Sequence, residues 1–296
     1  MQKLIFKNSG PIDNFITWIE RFKGDISANS LVIEIDPVKE MFISKTYAGD
    51  HSLVRYSQIS FKDANLQVTS KKLSIEGQPD AELSERVFIG IYAILPKFIE
   101  VLKTLATSKS FDLTVNYGFA DVKGKQMLCA ESVCFKSKSL KMKVPGSSIE
   151  VINLIPMPDD IFFNKVWVAP DPVSITLSAD LIKNIISISD IFAVSDKTKN
   201  FMEFYTKTEN VDGVETKVIY CKDPVNESYD YLIGPTTEPT ELQKDFRIKV
   251  YRYKFLLAVS NAIDETTMTV SSSATSRLLI DLKGGDTKTI IAGIKD

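Results

Sequence analysis

The sequence predicts an α+β fold of two similar domains, each made of two βαβββ units with helices on one face of antiparallel sheets. Three observations carry this reading. Hydrophobic alternation with a period of two dominates the chain, as half-buried strands require. Only four segments switch to helical spacing. Each of these helices follows one strand and precedes about three, an internal repeat of architecture without detectable repetition of sequence.

In the first unit, strand 3–7 leads into helix 11–23, where Ile12, Phe15, Ile16 and Ile19 share one stripe and Pro11 suits the first turn. Strands 31–36, 41–47 and 53–60 follow. Leu31, Ile33 and Ile35 face a core while Glu34 and Asp36 face the other way. The second unit runs through strand 87–93, helix 96–107 (burying Phe98, Val101, Leu102 and Leu105) and strands 110–117, 126–135 and 139–144. The third has strand 173–177, helix 179–189 and strands 201–208, 214–221 and 228–233. Its helix is capped by Ser178, with Asp180 in the first turn, where the dipole favours a carboxylate. The fourth has strand 245–251, helix 252–263 (burying Leu256, Val259 and Ile263) and strands 266–271, 277–282 and 287–294. Turn signals at Ala48-Gly49-Asp50, Lys123-Gly124-Lys125, Val211-Asp212-Gly213 and Lys283-Gly284-Gly285-Asp286 separate the strands. The segment 146–172, rich in Pro and poor in pattern, reads as an extended connector, placing the domains at 1–145 and 173–296.

Composition narrows the function classes. The 296 residues carry 36 Lys+Arg against 38 Asp+Glu, a net charge of −2. Three cysteines form no disulfide framework and suit a reducing compartment. The apolar run 87–96 is about half the roughly 20 residues that a spanning helix needs. The N-terminal stretch carries charge inside its apolar residues, unlike a signal peptide, so a cytoplasmic protein without membrane association is expected.

Candidate chemistry fails residue by residue. His51, the single histidine, sits beside a Gly-Asp turn and reads as a solvated loop residue. Cys129 and Cys134, five apart, fall on opposite faces of a continuous strand and read as structural thiols, not a metal pair. Gly284-Gly285 lacks the Lys-Ser/Thr of a phosphate loop. Asp159-Asp160 read as solvated loop acids. No metal, cofactor or catalytic residue is expected, and an enzyme is the least favoured class.

The element order resembles that of DNA sliding clamps, the ring-shaped processivity factors of replication, and most resembles the two-domain, trimeric clamps of tailed bacteriophages. Local likeness lies in Val173-Ser174-Ile175-Thr176-Leu177-Ser178-Ala179-Asp180-Leu181-Ile182, similar to the strand and helix opening a clamp's second domain. It lies also in Arg55-Tyr56-Ser57-Gln58-Ile59-Ser60, and in the closing run Leu278-Leu279-Ile280 and Thr289-Ile290-Ile291-Ala292. The chain departs from that pattern by added length at 70–86 and in the connector. The resemblance implies helices lining a bore around duplex DNA, a homotrimer of six domains closed by edge strands, a polymerase as partner and a clamp loader to open the ring. In a virus, the compartment would be the host cytoplasm.

A bore needs helix faces that suit phosphates without reading sequence. Opposite the apolar stripes lie Asn14 and Arg21, Lys103 and Thr107, Lys183 and Asn184, and Lys254 and Asn261: one cation per helix beside small polar groups. The four helices sum to +3, leaving −5 elsewhere. In the connector, Ile155, Met157, Phe162 and Trp167 must be packed, either against their own domain or at the border of a groove for short apolar partner peptides. Two rivals remain: a β-rich viral structural or assembly protein, and one clamp-fold subunit of a heterotrimeric ring.

Overall fold

The computed structural model describes residues 2–22, 31–47, 52–73, 81–91, 95–107, 110–138, 140–146, 150, 152, 159–168, 172–236, 245–259, 266–271, 277–282 and 287–294. The chain divides into two compact units, Met1–Gly49 with Tyr56–Met157, and Asp50–Arg55 with Pro158–Asp296. All four expected helices are present. The architecture is mixed and strand-dominated, as expected.

In the first unit the strands are β1 (Gln2–Asn8), β2 (Leu31–Asp36), β3 (Met41–Tyr47), β4 (Leu53–Ser60), β5 (Leu66–Leu73), β6 (Ala81–Glu82), β7 (Val87–Ile91), β8 (Phe111–Val122), β9 (Lys125–Ser137) and β10 (Lys141–Pro145). They run in the order β4-β3-β2-β7-β9-β8-β1-β5-β6, with β10 also on β9. β5 is absent from the sequence reading because only Leu66 and Val68 show apolar alternation before Thr69, Ser70, Lys71 and Lys72 take over. It pairs with β1, with a bulge between Ile5 and Phe6. Helix α1 (Asp13–Glu20) starts two residues later than the sequence suggests, with Ile12 as an N-cap that supplies no side-chain bond. It buries Phe15, Ile16, Trp18 and Ile19. Phe15, Trp18, Phe42, Phe6 and Phe61 form a chain of rings with centroids 4.7–6.4 Å apart, and the Trp18 indole donates to Ser57 Oγ at 3.0 Å. Helix α2 (Leu95–Ala106) adds Phe98, Val101, Leu102 and Leu105 to the same core.

Two expectations for these strands are corrected. β2 is buried on both faces: Val32 joins Val122, Cys129 and the connector's Ile152 in a second small core. Glu34 meets Lys45 at 2.8 Å and Arg86 at 2.7 Å, and Asp36 meets Arg86 at 3.1 Å. Paired cations let two carboxylates lie in the interior where bare charges could not. On β9, the register with β8 shifts at Glu131, so Cys129 lies opposite Gly118 and Cys134 opposite Thr114. The bulge puts both thiols on one face, yet four residues of partner strand still separate them by about 13 Å.

Gly146 explains how β9 changes neighbours on one edge, from β7 to β10. Its N–H donates to Glu131 O at 3.1 Å and its carbonyl accepts from Gly90 N at 3.2 Å. A Cβ there would stand 2.5 Å from Ala130 O and Ser132 N.

In the second unit, β11 (Pro172–Leu177), β16 (Thr266–Ser271), β17 (Arg277–Leu282) and β18 (Thr287–Ala292) form one antiparallel set. A second four-stranded sheet runs β14 (Asp230–Pro235), β13 (Val214–Lys222), β12 (Phe201–Val211) and β15 (Arg247–Tyr251). Helix α3 (Ala179–Ile191) begins at Ser178, whose Oγ accepts from Leu181 N at 3.1 Å, as its sequence implies. Helix α4 (Arg252–Val259) lies against α3 through Arg252, which bonds Ser189 Oγ at 3.0 Å and the Asp190 carboxylate. The two turn signals within the described residues, Lys123-Gly124 and Asp212-Gly213, carry positive φ at their two central residues, the twist that matches paired strands. The other two turn signals contain residues outside those described.

The segment Asp50–Arg55 belongs to this second unit. Ser52 O accepts from Ala292 N at 2.8 Å. Arg55, only 1% exposed, donates from Nε to Thr289 Oγ1 at 3.1 Å and from Nη2 to Leu257 O at 2.7 Å.

The connector is not extended throughout. Asp159–Ile161 and Phe162–Val166 form continuous helical turns, and Arg277 Nη1 donates to Val166 O at 2.9 Å.

Candidate nucleic-acid interface

Helices α1 and α2 are neighbours. Their solvent side carries Asn14 and half-buried Arg21 from one, and Lys97, Glu100, Lys103, Thr104 and Thr107 from the other. Asn14 Nδ2 donates to Asp63 O at 3.3 Å, and Thr107 Oγ1 donates to Thr104 O at 2.7 Å. Lys103, 55% exposed, reaches Glu20 Oε1 at 2.7 Å. On α3, Lys183 and Asn184 are exposed, and Lys183 lies 3.3 Å from Asp180 one turn earlier. Asn14, Lys103, Thr107, Lys183 and Asn184 are therefore at the surface, Arg21 is half-buried with its Nε out of solvent, and two of the cations are shared with acids. Exposed pairs of this kind are worth about 0–1 kcal/mol, so a phosphate can compete for either lysine.

Helix α4 departs from expectation. Lys254 is 2% exposed. Its ammonium bonds Ser52 Oγ and lies 4.8 Å and 5.5 Å from the ring centres of Tyr251 and Tyr253. Phe255, Ala258 and Val259 form the rest of the buried face. The run Phe255-Leu256-Leu257-Ala258-Val259 is apolar all round, so periodicity alone selects no face, and contact with Ser52 decides it. Lys254 is removed from the candidate surface. Asn261 lies outside the described residues.

Among the connector residues, Ile155 and Met157 also lie outside the described residues. Phe162 is fully buried, with its ring 5.1 Å from Phe163 and 6.0 Å from Trp167. It anchors the turn instead of offering a contact. Trp167 is partly exposed, with Lys288 Nζ 4.9 Å from its ring centre, and Phe163 and Val168 are open to solvent.

Two edges had no signal in sequence because an edge is defined by what is missing beside it. Among the described residues, β10 pairs with β9 alone and presents Lys141 and Lys143 on its exposed side. Among the described residues, β14 pairs with β13 alone and presents Asp230 and Leu232. Among the described residues no group of three or more His, Cys, Asp or Glu side chains could hold a metal ion, and no helix is long and apolar enough to cross a membrane.

No protein-family model matches the chain, and no curated protein matches it. Solved structures do. The chain is similar to the Helicobacter pylori beta clamp (TM-score 0.61, 12% identity, 100% of this chain and 67% of that one). Another structure of that clamp, bound to a DNA ligase peptide, matches with a TM-score of 0.58 at 11% identity, over 100% of this chain and 67% of the other. It is similar to the DNA polymerase sliding clamp of Bacillus subtilis (0.61, 11%, 99% and 64%). It is similar also to the PCNA of Thermococcus kodakaraensis (0.58, 12%, 99% and 100%). The chain thus spans about two thirds of the bacterial clamps and the whole of that PCNA.

Proposed function

We propose, from the fold of a DNA sliding clamp as premise, that this chain is a non-enzymatic clamp subunit. Three copies close head to tail into a ring of six domains that encircles duplex DNA without reading its sequence. The ring tethers a replicative polymerase and is opened by a clamp loader in the cytoplasm. The observation that carries the reading is the likeness over the full length of a PCNA as well as this chain.

The helix faces support it. Asn14, Arg21, Lys103, Thr107, Lys183 and Asn184 offer cations and short polar groups to a phosphate backbone, in modest number. Few phosphate contacts mean weak, sliding association, because affinity and its salt dependence grow with each one. Holding then comes from topology. The edges support ring closure: the lysines of β10 complement Asp230 of β14, and a head-to-tail contact pairs two different edges. Phe163, Trp167 and Val168 are offered as the border of a groove for an apolar partner peptide, a mode in keeping with the ligase peptide on the Helicobacter clamp.

Light-scattering chromatography tests the assembly: a mass near three times 33.1 kDa supports the ring, and a monomer at every concentration, with or without loader and DNA, refutes it. Polymerase runs on primed circular DNA test the activity. Replacing Arg21, Lys103 and Lys183 together by Ala should weaken loading while the melting temperature stays put; unchanged loading would sink the assignment of these faces.

A further inference from the structure

The outward face of the β14-β13-β12-β15 sheet carries a feature that a clamp's bore and peptide groove do not use. The opposite face is core: Met202, Phe204, Ile219, Cys221, Ile248 and Val250 are buried. On the outward face, Phe201 of β12 stands 5.3 Å from Tyr251 of β15, and Tyr205 of β12 stands 5.5 Å from Tyr220 of β13, the latter nearly parallel at 20°. Cations interleave with the rings. Lys249 lies 5.3 Å from the Phe201 ring centre, Arg247 and Lys222 each 5.7 Å from that of Tyr205, and Lys207 5.7 Å from that of Tyr220.

We propose that this face is a binding platform for single-stranded nucleic acid, with bases stacking on the Phe201–Tyr251 and Tyr205–Tyr220 pairs and phosphates meeting Arg247, Lys249 and Lys207. Sequence-tolerant single-strand sites combine those two ingredients: flat rings that accept any base, and cations that follow the backbone. Sheet strands set the spacing, since four residues along β12 separate the two ring pairs by about 13 Å. The rings are held in place before any ligand arrives. Tyr205 Oη donates to Asp230 Oδ2 at 2.7 Å, and Tyr220 Oη donates to Glu209 Oε1 at 2.6 Å, so little freedom is lost on stacking. Asp230 and Glu209 accept the tyrosine hydroxyls, and Glu209 also pairs with Lys207 at 3.0 Å, an exposed contact for which a phosphate can compete. Glu203 is buried, 3.2 Å from Arg247 Nε and 3.6 Å from Lys222 Nζ, while the Arg247 side chain stays 66% exposed. Four cations against three acids leave the face positive on a chain whose net charge is −2.

The platform stands whether or not the chain closes a ring, and its test separates the two. Fluorescence anisotropy is read on a labelled oligothymidylate of about 16 nucleotides, the upper site size of one single-strand module, at about 50 mM salt. Four proteins are compared: wild type, Phe201→Thr with Tyr220→Thr, Arg247→Gln with Lys249→Gln, and Lys39→Gln. Thr keeps strand propensity at the ring positions, and melting curves confirm that each variant is folded. The expected result is saturable binding, weakened about tenfold or more by loss of the rings. Loss of the two cations should flatten the log–log salt slope by about 1.4, and Lys39→Gln, an exposed lysine in the turn between β2 and β3, should change nothing. Absence of binding to wild type, equal loss in the Lys39 variant, or displacement by polyglutamate but not by unlabelled oligonucleotide would each overturn the proposal, the last in favour of an acidic protein.

Discussion

Replacing Arg55 with Met keeps the length of the buried stem and removes the guanidinium. Two acceptors then lose a charged donor inside the second unit, Thr289 Oγ1 and Leu257 O, now bonded at 3.1 Å and 2.7 Å. Thr289 is fully buried, so water does not replace the bond there. Each buried acceptor left unmade costs about 1–3 kcal/mol, which puts the total near 4 kcal/mol. For a unit of this size, 1 kcal/mol moves the melting temperature by about 2–4 °C, so a fall of roughly 8–16 °C is expected. Thermal unfolding followed by circular dichroism reads it directly. Arg55→Lys, which keeps a charge but can satisfy fewer acceptors, should fall between. A shift below about 2 °C in Arg55→Met would refute the claim that this side chain secures the segment 50–55.

Other outcomes follow from particular contacts. Gly146→Ala places a Cβ 2.5 Å from backbone atoms of Ala130 and Ser132, so it should lower stability by about 1–3 kcal/mol in denaturant melts, the range for overpacking a tight site. An unchanged midpoint would show that the bulge can yield. Glu20→Gln with Asp180→Asn releases Lys103 and Lys183 from their acids; duplex binding should steepen with salt by up to about 1.8 in log–log slope per subunit, and an unaltered slope would mean neither lysine meets a phosphate. Burial holds the Tyr117 phenol up at about 12, and the hydrogen bond to Glu209 followed by burial does the same for Tyr220. Their folded values exceed the ordinary value near 10, so their contribution to stability is intact below pH ~10 and is lost as pH rises through about 12. Absorbance titration near 295 nm should therefore show a late-ionising class of tyrosines, and a single class centred near 10 would contradict both environments.

The strands and helices were legible because their signals are local. Alternation in β8 and β15 and the Ser178 cap need only neighbouring residues to be read. What escaped depends on distant partners. Lys254 looked like a surface cation until Ser52 and two tyrosine rings enclosed it. Glu34 and Asp36 looked solvated because Lys45 and Arg86, which neutralise them, lie 11 and 50 or more residues away. The parity of Cys129 and Cys134 was inverted by one inserted residue at Glu131, which no propensity scale announces. The exposed polar residues of α1, α2 and α3 were found because an amphipathic helix displays its outer face in its spacing. The outward ladder of Phe201, Tyr205, Tyr220 and Tyr251 was missed because it exists only across three strands.

The placement of Arg55 also sets a clock on synthesis. Thr289 is made 234 residues after it, and at about 5–20 residues per second the ribosome takes roughly 10–50 s to deliver that partner. Throughout that interval a nascent strand carries a charged side chain where its finished form is interior. A cation on an unpaired edge discourages pairing with other chains. The same guanidinium that later fastens the segment would thus guard it while it waits, and the order of translation becomes part of how this fold avoids aggregation.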